Sequence, residues 1–229
     1  MRSIIIHYHI YKNAGTSVDS LLAASFAGRT GSIEGLHPWS VLGPEDILKY
    51  VLENEFKALS THSARKPLLA HPELSIFPIF FLRHPLVRIS SVYEFERRAE
   101  FDTPGTVMAR KVSFAEYVRW RLEDGVSPIM RNFHTLFLSD AQLTVPDPRC
   151  ARADITHFAQ AKQILESVQY FGIVEEFEKS VLMMQKWLEP YFPEIKLYPS
   201  RYENRSLTTN MSLQERISDG CRDFLSEMD

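Results

Sequence analysis

The chain has 229 residues, 45% of them apolar, which is enough for a packed core and excludes a disordered chain. Lys and Arg total 26 against 29 Asp and Glu, a formal charge of −3, so a general nucleic-acid or membrane-surface binder is not expected. The two cysteines, Cys150 and Cys221, have no CxxC spacing, which excludes a cysteine-built zinc site and a disulfide framework.

Taken in order, "SIIIHYHI" (3–10) is a buried strand and "TSVDSLLAASFAG" (16–28) a helix that Thr16 or Ser17 caps and Gly28 ends. A helix is predicted over 43–56, with Pro44 at its start, then a short strand over 57–63. "IFPIFFLR" (76–83) is a strand whose true start lies just after Pro78, and a helix with Pro85 in its first turn covers 85–101. Residues 102–111 read as a loop. Helices follow at 113–124, capped by Ser113, and at 127–138, opened by Ser-Pro. An irregular stretch (139–154), a helix (155–168), a strand (169–174), a helix (176–192), a polar basic loop (200–209) and a helix (212–228) complete the chain.

No linker or repeat divides the chain, so one domain over 1–229 is expected. The alternation predicts an α/β fold with a mostly parallel sheet covered by helices on both faces. Such sheets bind ligands beyond the carboxyl ends of their strands. No apolar run approaches a membrane span, and "MRSIIIHYH" is too short and interrupted for a signal peptide, so a cytoplasmic location with reduced thiols is expected.

The first strand ends on Lys12, and "KNAGTS" (12–17) leads into a helix. Helix-start amides and the helix dipole attract an anion there. Gly15 admits close backbone approach, Thr16 and Ser17 supply hydroxyls, and Lys12 supplies charge. An ATP loop has the form GxxxxGK(S/T), whereas Ile6 to Tyr11 are bulky. A second strand, "FFLR", ends on Arg83; Pro85 sets the next helix, and Ser91 lies within it. An Arg fork with a hydroxyl suits a terminal phosphate.

These two corners resemble those of sulfotransferases that use 3′-phosphoadenylyl sulfate (PAPS), in the carbohydrate-type branch. The family's 5′-phosphosulfate loop, H-I-P-K-T-G-G-T-S, is matched by His9-Ile10-Tyr11-Lys12-Asn13-Ala14-Gly15-Thr16-Ser17. Its 3′-phosphate motif, R-D-P-x-x-R-x-x-S-x-Y, is matched by Arg83 to Tyr93. "RNFHTLFLSD" (131–140) and "AKQILESVQYFGIVEEFEKSVLMM" (161–184) resemble later family segments. Tyr11 replaces the usual Pro, Ala14 a common Gly, and His84 an acidic residue or Asn; Ala14 is compatible with a negative φ.

The resemblance implies a P-loop, nucleotide-kinase-like three-layer sandwich and transfer of a sulfuryl group from PAPS to a hydroxyl, leaving PAP, without a metal. The acceptor would be a glycan, glycolipid or small metabolite. Lys12 would stabilise the transferring group, residues 12 to 17 (Lys12, Asn13, Ala14, Gly15, Thr16, Ser17) would hold the 5′-phosphate, and Arg83 and Ser91 the 3′-phosphate. Asn204, Arg205 and Ser206 would close over the nucleotide. His62, ending the strand "KALSTHS", would be the general base, since an imidazole titrates near neutrality. His7, His9 and Glu94 are rivals for that role. Arg97, Arg98, Arg110 and Lys111 either line an acceptor entrance or form a solvated helix face. The three tryptophans, Trp39, Trp120 and Trp187, are expected to pack rather than to serve as sugar platforms. A small-molecule kinase and a non-catalytic PAP or PAPS binder are the alternatives. The absence of an anchor suggests a bacterial enzyme or a domain of a larger protein.

Overall fold

A computed structural model describes residues 1–199. The expected loop at 200–209 with Asn204, Arg205 and Ser206, the helix at 212–228 and Cys221 lie outside the described residues.

The chain is α/β with a central parallel sheet. Strand β1 (Arg2–Tyr8) lies between β3 (Ala58–Thr61) and β4 (Leu74–Ile79), and β2 (Thr30–Ser32) adds to β3, all parallel. β5 (Phe81–Leu82) pairs in parallel with β6 (Gly172–Ile173). The helices are α1 (Gly15–Ser25), α2 (Pro44–Glu53), α3 (Pro85–Arg98), α4 (Pro104–Lys111), α5 (Phe114–Arg121), α6 (Phe133–Leu138), α7 (Ile155–Ser167) and α8 (Phe177–Leu188). Among these residues, no helix is long and apolar enough to cross a membrane.

The two faces of β1 build two cores. Ile5 packs with Val18, Leu21 and Leu22 of α1 and Val181, Met184 and Leu188 of α8. Ile4, Ile6 and Tyr8 pack on the other side with Ile47 and Val51 of α2, Phe133 and Phe137 of α6 and Ile164 of α7. Side chains of a strand alternate between faces, so His7 and His9 share the Ile5 face and point toward α1. A third cluster joins α3, α4 and α5 through Tyr93, Ala109, Tyr117 and Val118.

Several expectations are corrected. The strand predicted at 76–83 starts earlier and divides in two: β4 runs through Pro78, and the chain then moves to a separate pairing with β6. β4 is the last strand of its sheet, and an edge strand tolerates a residue without an N–H. Residues 104–111, expected as loop, form α4, because Thr103 caps the helix by accepting from the Thr106 amide and Pro104 suits its first turn. α6 begins at Phe133 rather than at Ser127, after Asn132 in a left-handed conformation at φ 47°. β2 was not anticipated; Thr-Gly-Ser carries no apolar signal and is held by register with Ala58, Leu59 and Ser60.

Candidate functional site

The carboxyl ends of β1 and β5 bring the two basic corners together. Lys12 and Ala14 both have left-handed backbones, with φ 63° and 61°. The negative φ with which Ala14 would be compatible is therefore not the conformation it adopts. Ala14 is the N-cap of α1 and no side chain caps this helix, so Thr16 and Ser17 lie inside the first turn instead of before it. Thr16 is exposed and Ser17 buried. α1 ends at Ser25, and Gly28, at φ 75°, belongs to the turn that follows.

Gly15 has a local reason that the sequence did not reveal. A Cβ placed there would lie 2.0 Å from Cδ2 of His9 and 2.1 Å from Nε2. The His9 ring thus lies against the start of α1. The Asn13 side chain is engaged within the protein. It is buried, and its Nδ2 donates to the Phe81 carbonyl at 2.6 Å and lies 2.8 Å from Nε2 of His134. The side chain braces the loop to β5 and α6.

Arg83 reaches this corner from β5. Its Nη1 donates to the Lys12 carbonyl at 3.1 Å, and Nε lies 4.0 Å from Oε1 of Glu175. Glu175 also accepts from the His84 amide at 3.2 Å. The Lys12 ammonium sits 4.1 Å from the centre of the Phe95 ring. Burial, and next the Arg83 charge, lower its pKa to about 8. Ser91 is half-buried on α3, the helix that follows Arg83.

His62 is exposed just past β3 and is joined to the corner through a column of imidazoles. Its ring stacks on His9 at 3.8 Å between centroids, and His9 stacks on His7 at 5.3 Å. Nδ1 of His62 lies 2.9 Å from Oε1 of Glu34, which also accepts from the His62 amide at 2.8 Å. Ser63 donates to the other Glu34 oxygen at 2.7 Å. Burial of Glu34 works to raise its pKa, but these hydrogen bonds outweigh it and hold the carboxyl below its ordinary value. An ionised carboxylate only accepts, so Nδ1 of His62 carries a proton, and in the neutral ring the lone pair is on Nε2.

Unlike His62, the rivals His7 and His9 are buried. Nδ1 of His7 and of His9 approach the two oxygens of Asp19 at 2.6 and 2.9 Å. Burial lowers the pKa of His9 to about 4, against the pull of Asp19. Burial opposes ionisation of Asp19 too, but its imidazole partners prevail and keep it well below the usual carboxylate range. Glu94 pairs with Arg98 at 2.8 Å and Arg97 at 3.4 Å, while Arg110 pairs with Asp102. Arg97 and Arg98 of α3 and Arg110 of α4 are therefore ion-paired. A concavity of about 480 Å³ opens beside His62, between α1, β2 and β3, with Asp19, Thr30, Ser32, Glu34 and Ser60 on its walls.

Trp39 differs from expectation: it is 40% exposed, stacked on His37 and approached by Arg149. Trp187 packs on Tyr170, and Trp120 lies under Arg121. Cys150 is an exposed free thiol. Glu34, Asp19, His134 and Glu175 were missed as site residues. Only Glu175 had a signal, in the "FGIVEEFEKS" segment that resembles the family.

Fold and site define an α/β protein with two cationic residues meeting at the strand ends and a carboxylate-held histidine at the mouth of a concavity. No protein-family model matches the chain. A protein of Archaeoglobus fulgidus, described as uncharacterized, is 35% identical over 228 residues, covering 94% of this chain and 85% of its own length. The chain belongs to the family of that archaeal protein.

Proposed function

We propose that this chain is a PAPS-dependent sulfotransferase acting on a hydroxyl, built on a nucleotide-kinase-like P-loop sandwich. The observation that carries the reading is the meeting of Lys12 and Arg83 at the start of α1, with Arg83 donating to the Lys12 carbonyl at 3.1 Å. Two separate cationic groups suit a nucleotide carrying both a 5′-phosphosulfate and a 3′-phosphate.

In this reading the acceptor oxygen attacks sulfur, and the bond between sulfur and the bridging 5′-phosphate oxygen breaks. PAP leaves with the electron pair, Lys12 offsets the charge, and Nε2 of His62 takes the acceptor proton. Glu34 fixes the tautomer that leaves Nε2 free. The hydroxyl enters from the concavity beside His62. Asn13 acts on the loop rather than on the nucleotide, and the roles of Asn204, Arg205 and Ser206 stay with the resemblance. The kinase alternative fits less well. Tyr8 and Ile10 are buried core residues, so the chain before Lys12 has no open glycine cradle for a triphosphate.

Calorimetry with PAP, adenosine 5′-phosphosulfate and ATP with magnesium tests the reading, alongside transfer from labelled PAPS to hydroxyl acceptors. PAP is expected to bind best, and Arg83→Ala to weaken PAP far more than adenosine 5′-phosphosulfate. Tighter binding of ATP would overturn the proposal. His62→Ala should lower turnover by about 10²–10⁴-fold with PAP affinity retained, and Glu34→Gln should lower it less. PAP binding with no transfer to any acceptor would favour the non-catalytic binder.

A further inference from the structure

We propose that His7, His9 and Asp19 form a binding site for one divalent first-row transition ion of the zinc class. The sequence alone showed no metal-ligand cluster, because the third donor joins the other two only through the packing of α1 on β1. His7 on β1 and His9, one residue past its end, are two apart and project from the same face. Asp19 meets them from the second turn of α1. The three donor atoms lie within 4.8 Å of one another.

The donor set decides the ion. Two imidazole nitrogens and one carboxylate oxygen suit zinc, cobalt, nickel or iron(II), whereas magnesium and calcium prefer oxygen alone. His7 sits on β1 and Asp19 on α1, and His9 lies just past the end of β1, where its amide donates to the Thr61 carbonyl at 2.9 Å; His7 and His9 are 1% and 7% exposed. The His9 ring is held by its stacks with His62 and His7, while the Ser60 Oγ, 3.1 Å from Nδ1 of His7, gives up that nitrogen to the ion. Asp19 borders the concavity, which gives an ion a way in and leaves a coordination position facing it. Bonds of about 2.0–2.2 Å from each donor to the ion require Asp19 and the two nitrogens to part slightly from their present hydrogen bonds. On binding, the ion takes the Nδ1 lone pairs and the ring protons reside on Nε2.

This site does not depend on the sulfuryl-transfer reading. The test is titration of the chelator-treated full-length protein with Co²⁺, followed by displacement with Zn²⁺. One ion per chain, with visible d–d absorption that Zn²⁺ abolishes and Mg²⁺ does not, is expected. Asp19→Asn, which preserves size, and His9→Ala should each weaken binding by on the order of 100-fold or more. Circular dichroism checks their folding; if His9→Ala does not fold, Asp19→Asn decides. His157, which faces Asp140 and Asp154 on the surface, is the control, and His157→Ala should leave binding unchanged. Absence of saturable binding, retention of affinity in Asp19→Asn, or loss in His157→Ala would overturn the site. Co²⁺ binding without PAP binding would sink the sulfotransferase reading alone.

Discussion

Ala14 has φ 61° immediately before a helix that starts on a glycine. A left-handed backbone costs an L-residue about 1–2 kcal/mol, and glycine escapes this. Ala14→Gly should therefore raise stability by about 1 kcal/mol, read as a higher urea midpoint at unchanged slope. Lys12 makes a different prediction. Its charge is lost as pH rises through about 8, so PAP affinity of the free protein should fall across that pH in calorimetry, with Lys12→Ala abolishing the dependence. At this scale the sequence revealed Lys12 and Arg83, because a strand ending on a basic residue before a helix is a local pattern. It hid Asp19 and Glu34. A lone carboxylate in a polar stretch looks like any solvated side chain until a strand pairing or a helix face brings it to a histidine.

The elements show where periodicity carries information and where it does not. β1, α1, α3, α7 and α8 were legible because apolar residues recur at the expected spacing. α4 was not, since its packing face is Gly105, Thr106 and Ala109, which are small or polar. Its place is set by a buried charge pair. Nη2 of Arg121 on α5 donates to both oxygens of Glu96 on α3 at 2.6 Å, and Tyr117 donates to the same carboxylate. A Cβ on Gly105 would lie 2.0 Å from that guanidinium nitrogen. Removing one member of a buried pair leaves the other uncompensated, so Glu96→Ala should cost about 3–5 kcal/mol in urea denaturation. Gly105→Ala should destabilise through the same contact.

Across the whole molecule, the parallel sheet between two helical layers followed from the alternation of strand and helix patterns. The division of the sheet after Ile79 did not, because "IFPIFFL" (76–82) is apolar throughout. That division places Phe81 where Asn13 can brace it, and His134 completes the tie. Burial, reinforced by the Arg88 charge, lowers the pKa of His134 to about 3, and its Nε2 is available to accept from Asn13 only while unprotonated. The unfolded chain takes up this proton near 6.5, whereas the folded chain resists until about 3. Stability should therefore decline as pH falls through that window. His134→Gln should flatten the decline in urea midpoints measured over a pH series.

The contact between His9 and Gly15 also restricts descent. A larger residue at 15 has no room while an imidazole occupies 9, whereas a smaller residue at 9 opens that space. Substitution is thus ordered: 9 must shrink before 15 can grow. Related sequences, the archaeal one included, should keep glycine at 15 wherever histidine stands at 9, and a lineage that has lost the glycine should carry the earlier change at 9.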